Sequence, residues 1–304
     1  MNFIKKSNSF LFVLCLISLF ASRVCVADNY PSLADSVDPE LQKNLEKVIK
    51  SVGLEHAAKN KLLNLDLVDI TDLEHPRVAS INGENMIYAA SLPKIAILLG
   101  AFVEIEQGKM QLDQETSNTL TNMIRHSSNR AATEMYHRVG EARLAEILQS
   151  DRYNLYNKDE NGGLWVGKEY GKAKAWKRDP LHNISHGATA MHTARFYYML
   201  ETGRLVSEPL ANKMKEILSK PAIHHKFVKG LEKSHPGAKI YRKSGSWRTW
   251  HADSAIIESG GYKFIMVALA KHPDGGKWLQ KIAAPLHDLI VPEILAANDQ
   301  QSLH

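Results

Sequence analysis

Cysteine is nearly absent from this 304-residue chain. Its two cysteines, Cys15 and Cys25, both lie in the first 27 residues, which combine a basic start, a short apolar stretch at 10–21 and small residues before Asp28. This is the pattern of a secretory signal peptide at 1–27, so we predict export to the periplasm or the extracellular space, with an uncleaved membrane anchor as the alternative. The mature chain would contain no thiol, which excludes disulfides, cysteine nucleophiles and thiolate metal sites.

Long apolar runs and an excess of one charge are also missing. The apolar part of the leader is short for a membrane span, and we expect no stable span once the leader is cleaved. The leader carries three of the 38 basic residues and no acidic one, so 35 basic residues remain against 33 acidic ones and the net charge falls from +5 to +2. A nearly neutral protein offers no electrostatic case for binding nucleic acid, and we expect none as a partner.

Glycine and proline are too scarce for a fibrous or disordered protein. The chain has 18 Gly and 11 Pro, with 44% hydrophobic and 23% charged residues, which is the composition of a chain that can form a packed core. Its length allows one large domain or two small ones.

Strand patterns lie at both ends of the mature chain, and helix patterns lie between them. Apolar residues recur at helical spacing over Asp38–Val52 and from about Lys277, and extended patterns occupy 63–70, 77–89, 239–246, 252–258 and 262–271. Residues 91–218 are mostly of helical pattern, interrupted by an irregular loop at 151–187. We predict an α+β domain over 28–304, in which an antiparallel sheet is flanked by N- and C-terminal helices. An all-helical lobe at 91–218 is inserted into an α/β lobe formed by 28–90 and 219–304.

Ser91-Leu92-Pro93-Lys94 is the first segment with recognisable chemistry. At the start of an apolar helix, this spacing places the serine and the lysine on one face. A serine hydroxyl is a poor nucleophile without an adjacent base, and a lysine that loses its proton can be that base. Helix N-termini also offer free N–H groups for a developing oxyanion. The alternative is an ordinary capping serine followed by a solvated lysine.

Two further segments carry polar groups that suit the same chemistry. Ser127-Ser128-Asn129 lies between two helical patterns, where a hydroxyl could relay a proton and an amide could bind a substrate amide, or where the same residues could simply cap a helix. Lys243-Ser244-Gly245 ends a predicted strand before Ser246. A fixed ammonium beside a glycine could bind a carboxylate and let a ligand approach the backbone, and the alternative is an edge-strand lysine before a bulge.

The three motifs occur in the order S-x-x-K, S-x-N and K-[ST]-G, in a chain whose strand patterns lie on both sides of a helical middle. In this the chain resembles the serine β-lactamase and penicillin-binding protein superfamily, most closely the class A β-lactamases. The resemblance covers most of 38–295. It implies Ser91 as the acylated nucleophile, Lys94 as its partner in proton transfer and Ser127 as a proton shuttle to the leaving amine. It further implies that Asn129 binds the substrate amide and that Lys243 and Ser244 bind the substrate carboxylate. The backbone N–H groups of Ser91 and of Ser246, which follows Gly245 in the substrate-binding segment, would bind the oxyanion.

The chain departs from the class A pattern at the deacylation base. Members of that class carry a glutamate, followed four residues later by an asparagine, in the loop before the helix that starts near Ala188. Here Glu160 is followed at that spacing by Leu164, and Glu169 is followed by Ala173. The interval of 36 residues from Ser91 to Ser127 is also short for the family. We therefore expect β-lactam hydrolysis to be slow.

We predict an exported, monomeric serine hydrolase that forms an acyl-enzyme with β-lactams or related amides and esters. A D-alanyl peptidase or esterase of cell-wall peptides, with slow β-lactam turnover, uses the same residues. A catalytically idle module, in which the basic loop at 168–178 and Lys243 capture an anionic wall component, is the alternative from a different class. No cofactor and no metal are implied: His182 and His186 are four apart and His224 and His225 are adjacent, but there is no H-E-x-x-H motif and the mature chain would have no thiol.

Overall fold

The computed structural model describes residues 30–292, so the predicted signal peptide at 1–27 lies outside the described residues. The helices of eight or more residues are α1 (Pro39–Ser51), α3 (Lys94–Glu106), α4 (Gln114–Arg125), α5 (Asn129–Val139), α6 (Glu141–Gln149), α7 (Ala190–Glu201), α8 (Glu208–Leu218) and α10 (Gly275–Asp288). Two short helices are α2 (Glu55–Lys59) and α9 (Phe227–Leu231). The long strands are β1 (Leu63–Asp69), β2 (Arg77–Ile81), β8 (Lys239–Trp247), β9 (Trp250–Ser259) and β10 (Tyr262–Lys271). Shorter strands are β3 (Ile87–Tyr88), β4 (Tyr156–Asn157), β5 (Gly162–Gly163), β6 (Trp165–Val166) and β7 (His186–Ala188).

The five long strands form one antiparallel sheet in the order β2-β1-β10-β9-β8. Its N-terminal strands therefore join C-terminal strands, as the blocks of strand pattern predict, and the α+β fold is confirmed. One face packs against α1 and α10, and the other packs against α7 and the helical lobe. Strand β8 is at the sheet edge, which leaves one side of its backbone open toward the lobe.

Helix α1 begins with a side-chain cap. The Asp38 carboxylate accepts a hydrogen bond from the Leu41 N–H at 2.8 Å, and Pro39 occupies the first turn. Leu45 and Ile49 are buried against the sheet, so apolar spacing and cap together define this helix.

The extended pattern predicted at 77–89 is divided at Asn82-Gly83 into strands β2 and β3. Strands β1 and β2 form a hairpin, but β3 leaves the sheet and pairs with β7. The Asn82 side chain donates hydrogen bonds to Ala58 O at 2.7 Å and Leu63 O at 2.9 Å, so the turn is tied to the start of β1 and does not fold β3 back on β2. The lobe predicted to be all-helical accordingly also contains short strands, because β4 to β7 form within the irregular loop.

A buried polar group lies on the lobe face of β1. Asp66 is fully buried, and neither carboxylate oxygen has a hydrogen-bond partner within the described residues. The Ser80 hydroxyl lies near enough to lower the pKa of Asp66, but it forms no hydrogen bond with either oxygen of the Asp66 carboxylate. Burial outweighs it and, with the negative charge of Glu84, raises the pKa of Asp66 to about 7.

No helix within residues 30–292 combines the length and the apolar character needed to cross a lipid bilayer.

Candidate active site

Ser91 lies in a tight turn between β3 and α3, and not in the first helical turn as predicted. The Lys94 N–H donates to Ser91 O at 3.3 Å, and the Leu92 N–H donates to Ala89 O at 3.1 Å. These bonds form a turn up to Pro93, and the helix begins only at Lys94. Ala90 has a φ of 52°, a left-handed conformation that is costly for a residue with a Cβ. The turn leaves the Ser91 side chain partly exposed at the start of the helix.

Strand β8 passes directly beside this turn. A Cβ atom placed on Gly245 would lie 2.2 Å from Ala89 O and 2.8 Å from Ser91 N, far inside normal contact distances. Only glycine permits this approach, so the glycine of the K-S-G segment holds the edge strand against the Ser91 backbone. The S-x-x-K and K-S-G segments, distant in sequence, are therefore adjacent.

Lys94 points into the interface between the lobes and is fully buried. Its ammonium donates to Ser127 O at 2.6 Å, to Asn129 Oδ1 at 2.8 Å and to Ser127 Oγ at 3.4 Å. Burial lowers the pKa of Lys94 to about 7. Within residues 30–292 no side-chain hydrogen bond joins Lys94 to the Ser91 hydroxyl; the two residues are linked through the backbone of the turn.

The three polar residues at the start of α5, Ser127, Ser128 and Asn129, have separate roles. Ser128 caps the helix, because its Oγ accepts from the Ala131 N–H at 3.2 Å. Ser127 and Asn129 turn the other way, toward Lys94, and Ser127 adopts a left-handed φ of 54° to do so. Capping thus accounts for the middle residue alone.

Lys243 reaches the same point from the sheet. It is buried, and its ammonium donates to Ser127 Oγ at 2.9 Å and to Ser244 O at 2.7 Å. The Ser127 hydroxyl consequently lies between two lysines. Burial, and next the charge of Lys94, hold the pKa of Lys243 well below its usual range.

A buried cation that sequence reasoning missed, Lys226, lies on the other face of β8. Side chains alternate along a strand, so Ser244 and Ser246 face away from Lys243. The Lys226 ammonium donates to Ser246 Oγ at 2.8 Å and to Ala252 O at 2.9 Å. Burial lowers its pKa to about 7. Its sequence position, after His224-His225 and outside any strand pattern, gave no sign that it meets β8.

A second missed residue, Tyr170, extends from the irregular loop onto Lys94. The Lys94 Nζ lies 4.6 Å from the centre of the Tyr170 ring, and the phenol donates to Ala90 O at 3.4 Å. Thr133 fixes the loop at this point through hydrogen bonds to both the N–H and the carbonyl of Tyr170. The ring of His186 packs against the phenol at 4.2 Å between centres. An aromatic side chain therefore covers Lys94.

The two candidate deacylation glutamates point elsewhere. The Glu160 carboxylate lies 3.2 Å from Arg195 and 3.2 Å from His192, and the nearness of His192 does most to lower the pKa of Glu160. Glu169 pairs with His137 at 3.2 Å. Within the described residues neither carboxylate forms a hydrogen bond or ion pair with Ser91, Lys94 or Ser127.

These contacts bring a hydroxyl, a lysine with a near-neutral pKa and a hydroxyl between two lysines to one side of an edge strand. Such a set suits nucleophilic attack on a carbonyl, proton relay and binding of an anion. The family model described as "Beta-lactamase enzyme family" matches residues 44–119 and 115–290, which is most of the chain. The chain belongs to this family. Its sequence and fold are those of a β-lactamase-like serine hydrolase.

Solved structures agree on the fold. PBP-A is 15% identical over 85% of this chain and 98% of its own, with a TM-score of 0.63; a PBP-A mutant with the same values is an acyl-enzyme complex with penicillin G. The TLA-3 extended-spectrum β-lactamase is 14% identical over 82% and 96% of the two chains, with a TM-score of 0.64. A β-lactamase from Sphaerobacter thermophilus is 16% identical over 78% and 94%, with a TM-score of 0.61. No curated protein sequence matches the chain.

Proposed function

We propose that this protein acylates itself at Ser91 with β-lactams or related small amides and esters, and that it releases the acyl group slowly. The observation that carries the proposal is the buried contact of Lys94 with Ser127 and Asn129, which Lys243 completes from the sheet. A solvated lysine would have an ordinary pKa, whereas Lys94 has a pKa of about 7 and is half deprotonated near neutral pH.

In the acylation step, neutral Lys94 accepts the hydroxyl proton of Ser91 as the serine oxygen bonds to the substrate carbonyl carbon. The N–H groups of Ser91 and Ser246 would stabilise the oxyanion, which the contact of Gly245 with the turn supports. Ser127 then gives its proton to the leaving nitrogen as the C–N bond breaks. Ser127 recovers a proton from one of its neighbouring lysines.

Substrate orientation follows from the two faces of β8. Ser244 and Ser246 lie toward one face and would bind the substrate carboxylate, while buried Lys226, which bonds to Ser246, and Lys243 on the opposite face would supply positive charge. Asn129, held by Lys94, would bind the substrate amide.

Slow release follows from Tyr170. Hydrolysis of an acyl-enzyme needs a positioned water and a general base near the ester. Tyr170 covers the side of Lys94 nearest the loop, and burial holds the pKa of its phenol well above the usual range, so it does not supply a base at neutral pH. A D-alanyl peptidase or esterase of cell-wall peptides, in which β-lactams are slow substrates, is the second candidate, and the same tyrosine favours it.

The natural setting would be outside the cytoplasm. The leader at 1–27 and the predicted absence of thiols from the mature chain support export. We propose that the mature protein acts there as a monomer.

Stopped-flow hydrolysis of a chromogenic cephalosporin, combined with intact-mass measurement, tests the proposal. We expect a burst of one equivalent, an adduct on the protein and then slow turnover. Rapid multiple turnover without an adduct would show that the loop holds a working base, and Glu160→Gln and Glu169→Gln would identify it. Absence of any adduct with both cephalosporin and D-alanyl peptides would favour the binding-module alternative.

A further inference from the structure

An aromatic surface lies beside Ser91 and is not used by the reaction steps above. Trp247 has 48% of its surface exposed, although tryptophan is usually well buried in folded proteins. Its ring centre lies 5.6 Å from that of Tyr88, which is itself 6.0 Å from Trp250. We call Tyr88 and Trp247 the aromatic shelf.

The shelf adjoins the nucleophile through both of its residues. Trp247 shares a face of β8 with Gly245, because side chains two apart on a strand point the same way. Gly245 contacts the backbone of Ala89 and Ser91, and Tyr88 immediately precedes Ala89 in the chain. The contact between the Tyr88 and Trp247 rings therefore lies next to the contact between β8 and the turn that carries Ser91.

Both rings are held in place. Tyr88 packs edge-on against His186 at 6.1 Å and rests on Trp250. The Arg248 guanidinium lies 4.4 Å from the centre of the Trp247 ring. Supported aromatic side chains lose little conformational freedom when a ligand binds, so an exposed and supported pair is suited to stacking.

The order of residues along β8 determines which part of a substrate reaches the shelf. The proposed carboxylate-binding groups Ser244 and Ser246 precede Trp247 but point to the opposite face of β8, so a substrate would contact both by lying along the open edge of the strand, which advances about 3.3 Å per residue. A substrate with its carboxylate at Ser244 and its carbonyl at Ser91 would therefore extend its acyl side chain toward Trp247 and Tyr88.

We propose that the aromatic shelf binds the acyl side chain of the substrate and selects planar aromatic groups. This inference rests on the proposed acylation of Ser91. Aromatic contacts of this type favour binding by factors of about 2 to 12 beyond simple area burial, so the expected selectivity is of that size.

The test compares two penicillins with one bicyclic nucleus, one bearing a phenylacetyl and the other a cyclohexylacetyl side chain. Second-order acylation rates are measured by intact mass for the wild type, Trp247→Ala, Tyr88→Ala and Trp247→Phe. Leu181→Ala is the control, since Leu181 is also an exposed apolar residue, at 43%, but lies in the loop.

We expect the wild type to prefer the phenylacetyl compound several-fold, the two alanine variants to lose this preference, and Trp247→Phe and Leu181→Ala to keep it. Equal acylation rates for the two penicillins, or a preference that is unchanged in both alanine variants, would overturn the proposed role of the aromatic shelf. Neither result would contradict acylation of Ser91. No acylation of the wild type by either penicillin would overturn the proposed function, and the shelf with it.

Discussion

Removing the charge of Lys243 without removing its bulk should make Lys94 harder to deprotonate. Ser127 Oγ lies 3.4 Å from Lys94 Nζ and 2.9 Å from Lys243 Nζ, so the two nitrogens are at most 6.3 Å apart, the sum of these distances. At that separation and an effective dielectric constant of about 20, two positive charges repel by about 2.6 kcal/mol, or about two pKa units. Burial lowers the pKa of Lys243 as well, so its charge is incomplete where Lys94 titrates, and Lys243→Met should raise the pKa of Lys94 from about 7 by about one to two units.

The assay is the acylation rate with a fluorescent penicillin by stopped flow across the pH range. Because neutral Lys94 is the base, the rate rises through its pKa, and in Lys243→Met this rise should move to higher pH by one to two units. Carboxylate binding also weakens in the variant, which lowers the rate at every pH, so the midpoint of the rise is the diagnostic quantity. Carbon NMR of labelled lysine would follow Lys94 directly.

Two controls separate charge from packing. Lys243→Arg keeps the positive charge and should leave the midpoint near that of the wild type. Lys226→Met removes another buried cation, which bonds to Ser246 and not to Ser127, and should weaken binding without moving the midpoint. If the Lys243→Met profile has the wild-type midpoint, the two lysines are not coupled and the assigned base is wrong.

Three further outcomes are expected. Ser91→Ala should lose all covalent labelling while changing the free energy of unfolding by about 1 kcal/mol at most, because the partly exposed Ser91 caps no helix, and surviving label on intact mass would exclude Ser91 as nucleophile. Tyr170→Glu, which removes the covering ring and adds a carboxylate, should speed deacylation by on the order of 100-fold in single-turnover mass measurements, whereas Tyr170→Phe should not; equal lifetimes would show that Tyr170 does not limit release. Asp66 has a folded pKa raised from 3.8 to about 7, so its contribution to the free energy of unfolding should be fully present below pH 4 and fall by up to about 4 kcal/mol as the pH rises to 7, and urea unfolding of Asp66→Asn should lack this decline. The same decline in both proteins would assign it to other groups.

The sequence predicts the elements of the site better than it predicts their contacts. Local signals suffice for α1, where Asp38 and apolar spacing agree, and Ser91, Lys94 and Lys243 stand out because their motifs are contiguous. Helix α4 starts at Gln114 because Asp113 caps it, a signal that apolar periodicity alone does not register.

Tyr170 and Lys226 could not be found in this way. Tyr170 lies in an irregular loop, and Lys226 lies just before the short helix α9. Neither segment has a periodic pattern that would predict its contacts with distant parts of the chain. Tyr170 is held by Thr133 on α5, and Lys226 by backbone carbonyls of β8 and β9. Long-range contacts of single polar atoms leave no local trace in sequence.

Strand β1 pairs with β10, Leu63 opposite Ala270, and this pairing has a consequence for how the protein is made. Closing so long a loop is entropically costly and slow, and contacts so distant in sequence cannot form until nearly the whole chain is available. Growing from its N-terminus, the chain acquires Ser91 and Lys94 well before Gly245 and the last strands that brace them. The reactive serine is therefore expected to stay inert during synthesis and any unfolded passage across a membrane, becoming competent only when the final third of the polypeptide has joined the sheet.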